Sequence, residues 1–177
     1  MDSILVYTTF GTEPDVTSDL WLLPLLGERE AFPFLKTGFH ESQGQSSPDG
    51  RWLAYASNES GRPEVYFPSF PDAGVGVQVS TNGGPQPRWR GDGQELYYLS
   101  LDPKLLAAEI ITEPTLRVGT SRNLFGIPIT PTTFANPASI HEYDVAEDGE
   151  HFLLMVPPED ATVSITVVLN WTAGLQR

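Results

Sequence analysis

The sequence predicts an all-β protein, a β-propeller of four-stranded antiparallel blades with roughly four blades present, on three observations. Segments built on Asp-Gly recur in order at Asp49-Gly50, Asp92-Gly93 and Asp148-Gly149, 43 and 56 residues apart. Asp-Gly between apolar runs is a strong hairpin signal, because glycine tolerates positive φ and the Asp side chain can hydrogen-bond the turn backbone. A period of about 40 to 45 residues with four short strands per unit is the pattern of a propeller blade. Apolar runs of strand length then fill each unit in the same order. Finally, 16 Gly and 16 Pro in 177 residues supply the punctuation that many short strands need.

The elements follow the repeat. In a partial first blade, 1–38, Ile4 to Thr9, Leu20 to Leu25 and Ala31 to Lys36 read as the later strands. The second, 39–84, takes Trp52 to Ser57, Glu64 to Phe70 and Val77 to Thr81, with turns at 58–61 and 71–74. The third, 85–138, takes Glu95 to Ser100, Leu105 to Ile111 and Arg122 to Phe125, and the Pro/Thr-rich 126–137 is read as the insertion behind the longer spacing. The last, 139–177, is partial and runs from Tyr143 through His151 to Val156 and Ser164 to Trp171. One segment conflicts with this scheme. Asp102-Pro103-Lys104-Leu105-Leu106-Ala107-Ala108-Glu109 has an N-cap Asp, a proline at the first helical position and good helix formers. The repeat asks for a strand there and takes precedence, since tertiary context overrides local propensity.

Composition narrows the function. Hydrophobic residues at 40% and aromatics at 11% are too much apolar material for a disordered tail. The length suits one domain, or part of a larger one, with a core that needs no disulfide or metal. Zero cysteines exclude a disulfide scaffold, a thiolate zinc site and a cysteine nucleophile. A net charge of −13 repels nucleic-acid phosphates and anionic lipid. The longest apolar runs fall far short of the ~20 residues of a membrane span. Met1-Asp2-Ser3 lacks the basic start of a signal peptide, so the chain reads as cytoplasmic unless a targeting segment lies outside it.

Ser47-Pro48-Asp49-Gly50-Arg51-Trp52-Leu53-Ala54-Tyr55, followed by Glu64-Val65-Tyr66, resembles the WD-like repeat of TolB-type β-propellers, whose usual form is Ser-Pro-Asp-Gly-Lys/Arg and then two strands. The second copy departs with Arg90-Gly91 in place of Ser-Pro and the third with Ala146-Glu147, while the Asp-Gly turn survives in both. Ile165-Thr166-Val167-Val168-Leu169-Asn170-Trp171 is similar to the C-terminal end of propellers fused behind bacterial serine/threonine kinase domains. The resemblance implies a C-terminal fragment of a larger ring, acting as a noncatalytic ligand-sensing or protein-interaction module. It also implies an extracytoplasmic position if the whole protein is a membrane-anchored kinase of that type.

Two enzyme readings stand beside it: the gating propeller of a prolyl-oligopeptidase-type serine peptidase, and a self-standing propeller hydrolase acting on glycans. Only Thr172 to Arg177 follow the last strand, which counts against the first. No catalytic, metal or cofactor site is expected. His141-Glu142 would need a second histidine where Val145 stands, and no Gly-x-Ser-x-Gly elbow occurs. Asp49, Gly50, Asp92, Gly93, Asp148 and Gly149 read as structural turns. In Arg88-Trp89-Arg90, alternation puts the arginines on one face and the tryptophan on the other. Either Trp89 packs between blades while the arginines pair with local acids, or Arg88 and Arg90 face the channel or its rim and attract an anionic ligand or acidic partner segment. The expected partner is a protein or small molecule. Open blade ends add two alternatives: cover by a second copy or by upstream sequence, or pairing of Ile4 to Thr9 near Ser164 to Trp171 to close a small ring.

Overall fold

The computed structural model describes residues 4–11, 17–74, 76–128, 141–156 and 164–168. These form four antiparallel sheets, each a blade. Blade 1 holds β1 (Ile4–Phe10), β2 (Ser18–Pro24) and β3 (Phe32–Leu35), and blade 2 holds β4 (Glu41–Ser46), β5 (Leu53–Ser57), β6 (Glu64–Phe67) and β7 (Val77–Gln78). Blade 3 holds β8 (Arg88–Trp89), β9 (Glu95–Leu99), β10 (Lys104–Ile111), β11 (Arg117–Val118) and β12 (Arg122–Gly126), and blade 4 holds β13 (Tyr143–Val145), β14 (Phe152–Val156) and β15 (Ser164–Val168). No helix occurs among the described residues, so none is long and apolar enough to cross a membrane.

Alternation along each strand sends successive side chains to the two neighbouring blades, and the core therefore lies in the joints between blades. Leu20, Leu22 and Phe34 of blade 1 pack on Leu53, Tyr55 and Tyr66 of blade 2. From the opposite face of blade 2, Ala54, Val65 and Phe67 meet Leu96, Tyr98 and Ile110. Tyr97, Leu99, Leu105 and Leu124 of blade 3 meet Tyr143, Phe152 and Leu154 of blade 4. Each fully buried Leu or Phe stabilises by about 1.5–3 kcal/mol, so every joint is held by several such increments.

The segment with helical propensity is strand β10, because both its faces find apolar partners: Leu105 and Ala107 join one joint, Ala108 and Ile110 the other. Four differences from the sequence reading have physical causes. Strand β4, Glu-Ser-Gln-Gly-Gln-Ser, carries no apolar alternation; it exists because it pairs with β5 and because Gly44 lets Val6 approach to 2.7 Å of where a Cβ would stand. Strand β6 stops at Phe67, before Pro68, which has no N–H for the ladder. Strand β7 stops at Gln78 because Ser80 Oγ, 2.8 Å from the Val65 amide, takes the place of a strand carbonyl. Strand β11 shares the edge of β10 with β12, which the repeat did not anticipate. Residues 129–137 of the expected insertion and 169–171 of the expected last strand lie outside the described residues. Strand β1 pairs with β2 and β15 with β14; no pairing joins blades 1 and 4 among the described residues.

Candidate functional site

Each Asp-Gly sits in the turn between the first two strands of its blade, with Gly50, Gly93 and Gly149 at φ of 66°, 71° and 71°. The three turns share their hydrogen bonds. Gly50, Gly93 and Gly149 donate to the carbonyls of Ser47, Arg90 and Ala146 at 2.8–2.9 Å. Asp49, Asp92 and Asp148 Oδ1 accept from the amides of Arg51, Gln94 and Glu150 at 2.8–3.1 Å. The departure at Arg90-Gly91 also has a reason. Gly91 donates its N–H to Glu147 O at 3.1 Å, and a Cβ there would lie 2.6 Å from that oxygen. Proline, which the first copy has at Pro48, could neither donate nor fit.

Six residues before each turn aspartate stands a position the sequence reading missed: Gln43, Gln86 and Glu142. Gln43 Oε1 accepts the Gln86 amide at 2.8 Å, and Gln86 Oε1 accepts the Glu142 amide at 2.6 Å. Gln86 Nε2 donates back to Glu142 Oε2 at 2.9 Å, and Tyr143 OH donates to Gln86 O at 2.8 Å. One side chain thus clasps the next blade at a repeating position. Gln43 and Gln86 hold φ of 59° and 60°, a conformation that costs a non-glycine residue about 1 kcal/mol or more and here aims the side chain across the joint.

The arginines share a face, as alternation requires, and Trp89 occupies the other. Trp89 lies edge-on to Phe67 at 5.8 Å and donates its Nε1–H to Gln45 O at 3.0 Å. Arg88, only 14% exposed, has Nε 3.2 Å from Asp144 Oδ1 of blade 4, without the alignment of a hydrogen bond, and Nη1 3.5 Å from His141 Nε2. Burial, with the Arg88 charge second, pulls His141 down to about 4, so at neutral pH its ring is uncharged beside the guanidinium. Arg88 is therefore committed to the joint.

Arg90 is more open, at 37%, and its guanidinium lies 3.4 Å from Asp92 and 3.7 Å from Glu95. It lines a notch of about 540 Å³ along blade 3, together with Glu95, Glu109, Thr120 and Arg122. Glu95 is the hub, since Arg122 and Tyr97 OH also bind its carboxylate. The volume lies in the range of small-ligand pockets, and both signs of charge are held in place. Among the described residues no three His, Asp or Glu side chains converge as for a metal ion.

No family model matches the chain, and no curated protein matches it. Solved structures do. TolB from Acinetobacter baumannii superposes with a TM-score of 0.67 at 16% identity, over 96% of this chain and 41% of that one. A TolB described as putative, from Agrobacterium tumefaciens, gives 0.61 at 14% identity, over 93% and 56%. A structure from a study of two prolyl endopeptidases gives 0.52 at 14% identity, over 94% and 28%. At such identities the likeness concerns the fold: the chain has the TolB-like β-propeller architecture, and it spans about half or less of those proteins.

Proposed function

We propose that this chain is a noncatalytic β-propeller segment that serves as the ligand-sensing or protein-interaction module of a larger bacterial protein, in the manner of kinase-fused propellers. The notch on blade 3 is the observation that supports it. Arg90, Arg122 and Glu95 are fixed by mutual ion pairs, an arrangement suited to presenting charge to a polar segment carrying both signs. Arg88 drops out of the candidate site because it closes a blade joint. The gating propeller of a prolyl-oligopeptidase-type peptidase is the second reading, favoured by the fold likeness to the prolyl endopeptidase structure.

Fluorescence anisotropy with labelled acidic, basic and mixed-charge decapeptides tests the proposal. The mixed-charge peptide should bind, and Arg90→Ala should weaken it about 5- to 30-fold, since a charged hydrogen-bonding group contributes ~1–2 kcal/mol. Equal affinity in the variant would remove the notch. Turnover in a broad hydrolase panel, lost on substitution of one carboxylate, would replace the noncatalytic reading altogether.

A further inference from the structure

We infer that an extended polypeptide segment lies across the edge of blade 3, with a basic side chain against Glu109 and an acidic one against Arg90. The inference rests on the notch reading above and adds the partner's length and charge order. The notch does not end at blade 3. A second cavity of about 200 Å³ has Asp49, Arg51 and Trp52 of blade 2 on one side and Gln94, Ile110 and Thr112 of blade 3 on the other. Gln94, Ile110 and Thr112 also line the notch, so the two cavities meet there and form one groove from Glu109 to Trp52. Its described lining belongs wholly to blades 2 and 3, the interior blades of the stack, each of which has a neighbour on both sides.

The charge order follows from register. The Arg90 amide donates to Glu95 O at 2.9 Å, and Glu95 is the register partner of Glu109, so the three residues stand in one row across β8, β9 and β10. Strands lie about 5 Å apart, which separates Arg90 from Glu109 by ~10 Å, the span of about three residues of extended chain. Glu95, in the middle, is engaged by Arg90, Arg122 and Tyr97. The Glu109 carboxylate is exposed and has no hydrogen bond or ion pair among the described residues, which leaves it to receive a cation. Arg90 sits 3.4 and 3.7 Å from its acids, longer than the ~2.8 Å of a charge-assisted hydrogen bond, so its guanidinium can turn to an incoming carboxylate. At the junction the side chains of Gln94 and Thr112 likewise hold no hydrogen bond among the described residues. An amide and a hydroxyl each donate and accept, which suits the N–H and C=O groups of a peptide backbone. The net charge of −13 favours approach of the basic residue.

Anisotropy with two labelled decapeptides of one composition tests the charge order, one with Lys and Glu three positions apart and one with them adjacent. The spaced peptide should bind about 2- to 5-fold more tightly, the worth of one exposed ion pair, and Glu109→Gln should remove that advantage. Thr112→Trp tests the path to blade 2: by filling the junction it should weaken the spaced decapeptide and leave a capped Lys-Ala-Ala-Glu tetrapeptide, short enough for the notch alone, unchanged. Neither substituted side chain holds a hydrogen bond among the described residues, so the thermal midpoints should stay the same. Equal affinity for the two decapeptides, or an advantage that survives Glu109→Gln, overturns the charge order, and the notch reading stands if Arg90→Ala still weakens binding. Undiminished binding of the decapeptide by Thr112→Trp overturns the path to blade 2. Binding of no peptide overturns this inference and the notch reading together.

Discussion

The joint between blades 2 and 3 and the joint between blades 3 and 4 use the same clasp position, and what surrounds the clasp is opposite in character. At the first, Gln43 receives one amide and the space beside it is filled by rings: Trp89 edge-on to Phe67, and Trp52 edge-on to Phe67 at 5.6 Å. At the second, Gln86 and Glu142 exchange two hydrogen bonds, and the neighbourhood holds Arg88, His141 and Asp144. A repeat therefore fixes the backbone register of a joint and leaves its stabilising chemistry free. The apolar joint gains from area, which is insensitive to pH and salt. The polar one gains from matched partners, so it responds to protonation and suffers most when one partner is lost.

Truncating the central ring of each joint should have the largest effect and separate the two. Phe152 lies edge-on to Tyr97 at 5.2 Å and to Phe125 at 5.5 Å and is 1% exposed; Phe67 is fully buried between two tryptophans. Phe152→Ala and Phe67→Ala should each cost about 3–5 kcal/mol. Hydrogen exchange should then distinguish them. Phe152→Ala frees blade 4 and should lower protection over 143–156 while blades 1 and 2 keep theirs, whereas Phe67→Ala lies mid-stack and should lower protection on both sides of it. Uniform loss in both variants would mean the four blades unfold as one unit.

The turns give a smaller contrast. Gly93 and Gly149 share φ of 71°, but a Cβ on Gly93 would meet Pro48 Cδ at an ordinary 3.6 Å, while one on Gly149 would lie 2.5 Å from Tyr97 OH and 3.1 Å from the Arg90 side chain. Gly93→Ala should cost about 1 kcal/mol, from backbone conformation alone. Gly149→Ala adds the overpacking of the polar joint and should cost about 2–4 kcal/mol. Denaturant midpoints of the two variants measure the difference. Equal losses would show that the joint yields at no cost.

What the sequence disclosed follows from where the information sits. The Asp-Gly turns are local, since both hydrogen bonds and the φ requirement lie within a few residues. Strand β10 was legible against its own propensity because the repeat carried tertiary information. Strand β4 was not, because its six residues owe their place to pairing with β5 and to the absence of a side chain at Gly44, neither of which leaves a hydrophobic period. Alternation placed Arg88 and Arg90 on one face, yet the partner that commits Arg88 is Asp144 on another blade. The clasp residues carry a signal of their own: Gln43, Gln86 and Glu142 recur with the same 43- and 56-residue steps as the turns, a polar repeat that hydrophobic periodicity does not mark.

A pH-dependent effect isolates the histidine of the polar joint. His141 has its pKa drawn down to about 4, by burial first and the Arg88 charge second, whereas a histidine in the unfolded chain titrates near 6.5. Between those values the unfolded chain takes a proton that the native state refuses. The stability His141 permits is thus complete above about pH 6.5 and is lost as pH falls towards 4, by about 2 kcal/mol between pH 7 and pH 5. Glu41 works against it in the lower part of this window, because burial raises its pKa and acid then favours the folded state. Comparing the protein with His141→Gln cancels that contribution, as Glu41 sits at the other end of the stack. The urea midpoint of the original chain should fall more steeply from pH 7 to pH 5 than that of the variant. Parallel curves would show that the ring is solvated enough to charge in place, and the contrast between the two joints would then rest on packing alone.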